Sequence, residues 1–207
     1  MVIERKELKT LAKEQIKGNV ATFFGLSIVV ALILSLSSSL IVGPLLLTGP
    51  FELGLTLFMI EVVRKGKGQF NTGFMGFKQF GSSFVATLLM GIFICLWSLL
   101  LVIPGIIACF RYSMTYYILA DNPEMSGSDA IKKSKEMMQG HKWELFILLL
   151  SFFWWYILCI ITFGIAVIYV FPYINATLVN YYEKLKYSER TSETDMVHNN
   201  FSVGRAY

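Results

Sequence analysis

Three stretches of this chain hold no Asp, Glu, Lys or Arg: residues 18–51, 79–110 and 145–182. The shortest has 32 residues, about 48 Å as one α-helix at roughly 1.5 Å per residue. The hydrocarbon core of a bilayer is about 30 Å thick and takes about 20 residues. Each stretch is too long for one crossing and, with its flank, fits two. Each also contains a helix breaker: Gly43-Pro44, Pro104-Gly105 and Gly164. Proline removes a backbone donor and clashes with the preceding turn, and glycine adopts turn angles at little cost. The pattern predicts three hairpins and six spans, near 20–42, 44–63, 83–103, 105–120, 143–163 and 165–182.

Composition excludes an ordinary soluble domain. Only 15% of residues are charged, 55% are apolar and the mean hydropathy is +0.59, against about 25% charged in soluble proteins. The expected fold is all-α: a six-span transmembrane helical bundle of three hairpins with interfacial connecting helices. Residues 1–185 form one membrane domain (hairpins at about 20–63, 83–120 and 143–182), and 186–207 form a disordered cytoplasmic tail. The first span follows a charged N-terminal segment and is longer than the apolar core of a signal peptide, so it is read as retained. Cys95, Cys109 and Cys159 all fall within predicted spans and read as small apolar fillers.

The basic residues orient the bundle, because Lys and Arg concentrate in cytoplasmic loops. The N-terminal segment holds Arg5, Lys6, Lys9, Lys13 and Lys17, and the next loop Arg64, Lys65, Lys67 and Lys78. The third holds Lys132, Lys133, Lys135 and Lys142, and the tail Lys184, Lys186, Arg190 and Arg205. These are 17 of the 18 basic residues, and the three turns at the breakers hold none. Both termini are expected in the cytoplasm, with very short external turns.

Each predicted hairpin is preceded by an amphipathic segment and a glycine. From Gly18, Gly81 and Gly140 to the following breaker the intervals are 25, 23 and 24 residues, which reads as a threefold hairpin repeat. In the first segment Ile3, Leu8, Leu11, Ala12 and Ile16 form a loose apolar stripe, expected to lie on the inner leaflet. Residues 70–81, rich in Phe and Gly, are expected in the interface. Ser27, Ala31, Ser35, Ser39 and Gly43 recur every four residues in the first span, as in a close-packing seam. Ser126 and Asp129 resemble a capping box. They open a helix whose buried face would be Ile131, Ser134, Met138 and Leu145, with Trp143 as an interfacial anchor.

Counting from the breakers places Glu52 and Arg111 about two residues apart in depth, roughly 3 Å. A charge inside a bilayer usually faces the bundle interior and a partner. Glu52 and Arg111 are therefore candidates to face each other, with Tyr112, Tyr116, Asn175 and Pro172 as neighbours. Such a pair either fixes helix register or forms a polar site for an ion, a lipid headgroup or a proton. Glu61 reads as structural, paired with Arg64 or Lys65. The sequence holds no HExxH, GxSxG, Walker A or CxxC pattern, so no catalytic residue, metal site or cofactor is expected. The dispersed basic charge gives no support for nucleic-acid binding. Anionic lipid headgroups at the inner leaflet are the expected partners, along with further copies of the chain.

The run PGIIACFRYSMTYYILADNPEMSGSDAIKKSKEMMQGHKWELFILLLSF and the later TFGIAVIYVFPYINATLVNYYEKL resemble the bacterial membrane-protein family called domain of unknown function 975. The matching part covers about residues 104–185, and the first hairpin fits more loosely. The resemblance implies a multi-pass protein of the bacterial cytoplasmic membrane with no established activity, and it transfers no catalytic residue. Two functions are compatible: a non-catalytic scaffold or envelope accessory, and a small transporter or lipid-handling protein using the polar site around Glu52 and Arg111. A water-filled cavity reaching Arg111 favours transport, and a dry, packed interior the scaffold.

Overall fold

A computed structural model describes residues 4–37, 42–100 and 102–203. Ile3, Ser39 and Arg205, which the sequence reading uses, lie outside them. The described residues are helical with no strand. In order, the helices are α1 (Arg5–Gln15), α2 (Val20–Ser37), α3 (Val42–Lys65), a 3-10 helix (Phe70–Gln79), α4 (Phe80–Leu100) and α5 (Val102–Tyr112). They continue with α6 (Thr115–Asp121), α7 (Gly127–Met137), α8 (Lys142–Leu150), α9 (Phe153–Ile161) and α10 (Val167–Val203). Among the described residues, four helical segments are long and apolar enough to cross a membrane: Val20–Ser37, Gly43–Lys65, Phe70–Leu99 and Lys142–Ile161. Two of the six predicted spans differ from that standard. The span at 105–120 is α5 and α6, with a break between them at residues 113–114. The one at 165–182 lies in α10, where Tyr, Asn and Pro172 lower the apolarity. α10 runs on through Val203, where the sequence reading has a disordered tail from 186.

The breakers act where expected, but as helix starts. Gly43-Pro44 sits in the first turn of α3, and Pro104-Gly105 in that of α5. A first-turn proline forfeits no intrahelical bond. The third turn is a helix cap. Phe163 (φ 48°) and Gly164 (φ 89°) are both left-handed. The Gly164 amide donates to the Cys159 carbonyl at 2.8 Å and the Phe163 amide to Ile160 at 3.1 Å, the paired bonds of a Schellman end to α9. Gly18 and Gly140 also turn left-handed, at φ 83° and 86°. Gly81, their expected counterpart, lies inside α4. The bend that should mark the second repeat is therefore missing there.

Burial divides the molecule into two parts. The buried apolar core skips from Val30 to Phe51, from Met90 to Ala108 and from Phe152 to Val170. Those gaps hold most of the exposed large apolar side chains, among them Leu36, Leu96, Leu99, Ile103, Trp154 and Ile160. The hairpin tips thus turn apolar surface outward, and the packed core lies at their bases. The small-residue seam of the first span is not buried: Ala31 and Ser35 are exposed, and Phe23, Leu26 and Val30 pack instead. Phe23 meets Phe58 and Phe171, and Leu26 fills the space that a side chain at Gly73 would take.

Two connecting segments pack closely onto the bundle. α1 packs chiefly against α10, burying Leu8, Ala12 and Ile16 and leaving Leu11 outside. The 3-10 helix lies along α3, the most extensive packing between any two elements. Glycines permit this approach: a Cβ at Gly54 would strike the Gly73 carbonyl, and one at Gly76 the backbone of Pro50. Glu61 closes the same seam, accepting from Thr72 Oγ1 at 2.6 Å, the Gln69 amide at 3.2 Å and Lys65 at 3.3 Å. Its expected alternative, Arg64, bonds elsewhere. α7 follows the sequence closely. The Ser126 hydroxyl accepts from the Asp129 amide at 3.2 Å, Ile131, Ser134 and Met138 are buried, and Lys132, Lys133 and Glu136 are exposed.

Candidate functional site

The predicted site residues do not converge. Glu52 is exposed on α3 and has no hydrogen bond or ion pair to any described residue, though Tyr116 and Tyr117 lie within its electrostatic reach. No ion pair joins it to Arg111. Counting residues from the breakers sets a depth but not a neighbour. α5 packs on α4, α7 and α8, whereas α3 packs on the 3-10 helix, α4, α2, α10 and α6. Tyr112 is buried against Phe93, with ring centroids 6.0 Å apart. Tyr116 shares a 2.8 Å hydrogen bond with Thr87. Asn175 spends its amide on the Phe171 carbonyl one turn back in its own helix, at 2.9 Å.

Arg111 instead faces the basic side of α7. Its Nε is buried with no hydrogen-bond partner. It lines a cavity of about 260 Å³ with Lys132, Lys135, Glu136, Gln139 and Lys142. A second cavity, of about 390 Å³, shares Arg111, Lys132 and Lys135 and is walled by Leu89, Phe93, Trp97 and Ile131. The break between α5 and α6 positions this face. Ser134 of α7 is buried there and repairs the broken backbone. Its hydroxyl donates to the Arg111 carbonyl at 2.9 Å and accepts from the Met114 amide at 3.2 Å. A buried backbone group left unpaired would cost about 1–3 kcal/mol.

A second polar cluster, unforeseen from the sequence, ties the ends of α3 and α6 to the middle of α10. Asp121 ends α6 with only 7% of its side chain exposed. Arg64 of α3 donates to it twice, at 2.8 and 3.0 Å. Tyr182 donates its hydroxyl at 3.0 Å, and Lys186 pairs with the same carboxylate. Arg64 also reaches Glu183 through Nε at 2.7 Å. Burial pushes the Asp121 pKa up, but the bonds from Arg64 and Lys186 outweigh it and hold the carboxyl below its usual range. The same contacts raise the Arg64 pKa. Beside this cluster Asn180 donates to the Gln15 side chain at 2.6 Å. Asn19 donates to the Gly66 carbonyl at 2.8 Å and accepts from the Gly68 amide at 3.2 Å. The available signal was positional: Arg64, Asp121 and Glu183 are each the first charged residue beyond a predicted span.

Four apolar helical segments long enough to span a bilayer, rooted in a packed base that carries the charge, are the make-up of a multi-pass membrane protein. The chain belongs to the family described as "Protein of unknown function (DUF975)", whose match covers residues 1–108 and, overlapping, 98–189. The match takes in the first hairpin, which the motif resemblance covered only loosely. No curated protein and no solved structure matches the chain.

Proposed function

We propose that the chain is a non-catalytic membrane scaffold of the bacterial cytoplasmic membrane. Its three hairpins cross the bilayer six times, and both termini lie in the cytoplasm. The observation that carries this reading is the two-part burial: apolar hairpin tips exposed, and a packed base crossed by the Arg64–Asp121–Lys186 cluster. A cluster that cross-links three helices suits a fixed framework better than alternating access. Both termini follow from the basic loops, which fall on the base side. Alkaline phosphatase fused after Gly164 or Pro104 is expected to be active, and fused after Gly68 or Pro123 inactive. An inactive fusion at Gly164 whose green fluorescent counterpart glows would overturn the topology.

The lipid-handling reading has one observation in its favour, the cavities that reach Arg111. They open on the basic face of α7, away from Glu52. This favours a ligand held at the edge of the bundle over passage through it.

A further inference from the structure

We propose that the paired cavities at Arg111 bind an anionic phospholipid, with its phosphate among the cations and the start of an acyl chain against α4. The chemistry of the walls selects this ligand. Arg111, Lys132, Lys135 and Lys142 surround the first cavity, and Glu136 is the one carboxylate in its lining. Lys132 is drawn to the exposed Asp129 at 3.4 Å. Among the described residues no carboxylate pairs with Arg111, Lys135 or Lys142, and the buried Arg111 Nε has an unmet donor. Such a set accepts a phosphate through charge-assisted bonds.

The second cavity begins at the same cations but is apolar on its far side, where Leu89, Phe93 and Trp97 of α4 line it. Phe93 and Trp97 are themselves exposed and continue into the outward apolar face of Ile92, Leu96 and Leu99. The groove therefore leads from a cationic pocket onto the lipid-facing flank of the second hairpin. A free phosphate would satisfy the cations and leave that wall uncovered, whereas a diacyl phospholipid matches both ends. Its volume, about 390 Å³, suits a headgroup and the first part of a chain. Arg111, the one basic residue outside the basic loops, thereby gains a role that a partner at Glu52 does not supply.

The proposal rests on the chain lying in a bilayer, which the fusion reporters test independently. The full chain, purified in a neutral detergent, is titrated with dioleoylphosphatidylglycerol or dioleoylphosphatidylcholine, and bound lipid is counted by native mass spectrometry. One phosphatidylglycerol is expected to bind at least about tenfold more tightly than phosphatidylcholine. Lys132 and Lys135 are exposed, so Lys132→Gln with Lys135→Gln should leave the fold intact and weaken phosphatidylglycerol about 30-fold. Lys65→Gln with Lys67→Gln, on another basic loop, should change it less than threefold. Three results would each overturn the site: equal affinity for the two lipids, an equal loss in the Lys65/Lys67 variant, or displacement by inorganic phosphate as effective as by added phosphatidylglycerol. The last would mean a phosphate site with no lipid component, and the second a diffuse surface charge.

Discussion

Asp121 is the residue on which the base depends most. Its side chain is nearly buried and receives Arg64, Tyr182 and Lys186. Removing one partner of a fully buried ion pair costs about 3–5 kcal/mol, and of an exposed pair about 0–1 kcal/mol. Arg64 is 39% exposed, so Asp121→Asn should fall between, at about 2 kcal/mol, read from denaturant unfolding in micelles. Tyr182→Phe, which keeps the ring stacked on Tyr117 and loses one hydrogen bond, should cost about 1 kcal/mol. The pH dependence has a definite sign. The folded Asp121 pKa lies below the ordinary 3.8, so native protein holds fewer protons than unfolded chain in that window. Its stabilisation is complete above about pH 4 and disappears as pH falls through the lower, folded value. Asp121→Asn should flatten that acid limb; an unchanged limb would assign acid unfolding to other carboxylates. Ser134 is the other residue whose loss should exceed its size. Ser134→Ala orphans the Met114 amide and one bond to the Arg111 carbonyl, and should cost about 1–3 kcal/mol.

Among the elements, the seam between α3 and the 3-10 helix is the tightest, and only glycine allows it. Gly54 has no room for a Cβ against the Gly73 carbonyl, whereas Gly91 in α4 has open space around it. Gly54→Ala should therefore push two backbones apart and cost about 1–3 kcal/mol, as overpacking does. Gly91→Ala should be neutral or stabilising by up to about 1 kcal/mol, through helix propensity alone. Thermal unfolding of the two variants separates the effects, and equal losses would mean that the seam is looser than the structure shows. The sequence betrays such elements unevenly. Hairpin turns were legible because proline and glycine act locally, and α7 because its cap and its apolar spacing reinforce each other. The 3-10 segment was not, since its Phe-Gly composition fits an interface as well as a glycine-lined groove. The Glu52–Arg111 pair failed for a related reason. Depth follows from counting along one helix, but partnership depends on which helices are adjacent, and α5 turns Arg111 toward α7. The role of Asp121 is not legible locally because its three partners lie 57, 61 and 65 residues away in the chain.

At the scale of the whole molecule the burial pattern runs opposite to that of a soluble protein. Exposed apolar side chains cover the hairpin tips, a surface that in water would drive association. In a bilayer that surface would face hydrocarbon, and the packed base would meet the headgroups and the water beyond them. Three of the four tryptophans can report this. Trp154 is 76% exposed and Trp143 68% exposed, yet they should differ in depth. Trp143 stands one residue past the N-terminus of α8, beside Lys142, while Trp154 opens α9, about midway between the base and the tip of the third hairpin. Trp155 is turned inward against Tyr173, with ring centroids 5.6 Å apart. Variants retaining one tryptophan, in vesicles of brominated phosphatidylcholine, should rank accordingly. Bromines deep in the acyl chain should quench Trp154 most strongly and Trp155 least. Bromines close to the headgroup should quench Trp143 more than Trp154. If Trp154 and Trp155 were quenched equally by the deep probe, the outer surface of the third hairpin would not be the one facing lipid. If instead neither probe quenched Trp154 above Trp155 while Trp143 still responded, that hairpin would dock against another protein surface. The scaffold reading would then acquire a specific interface to map.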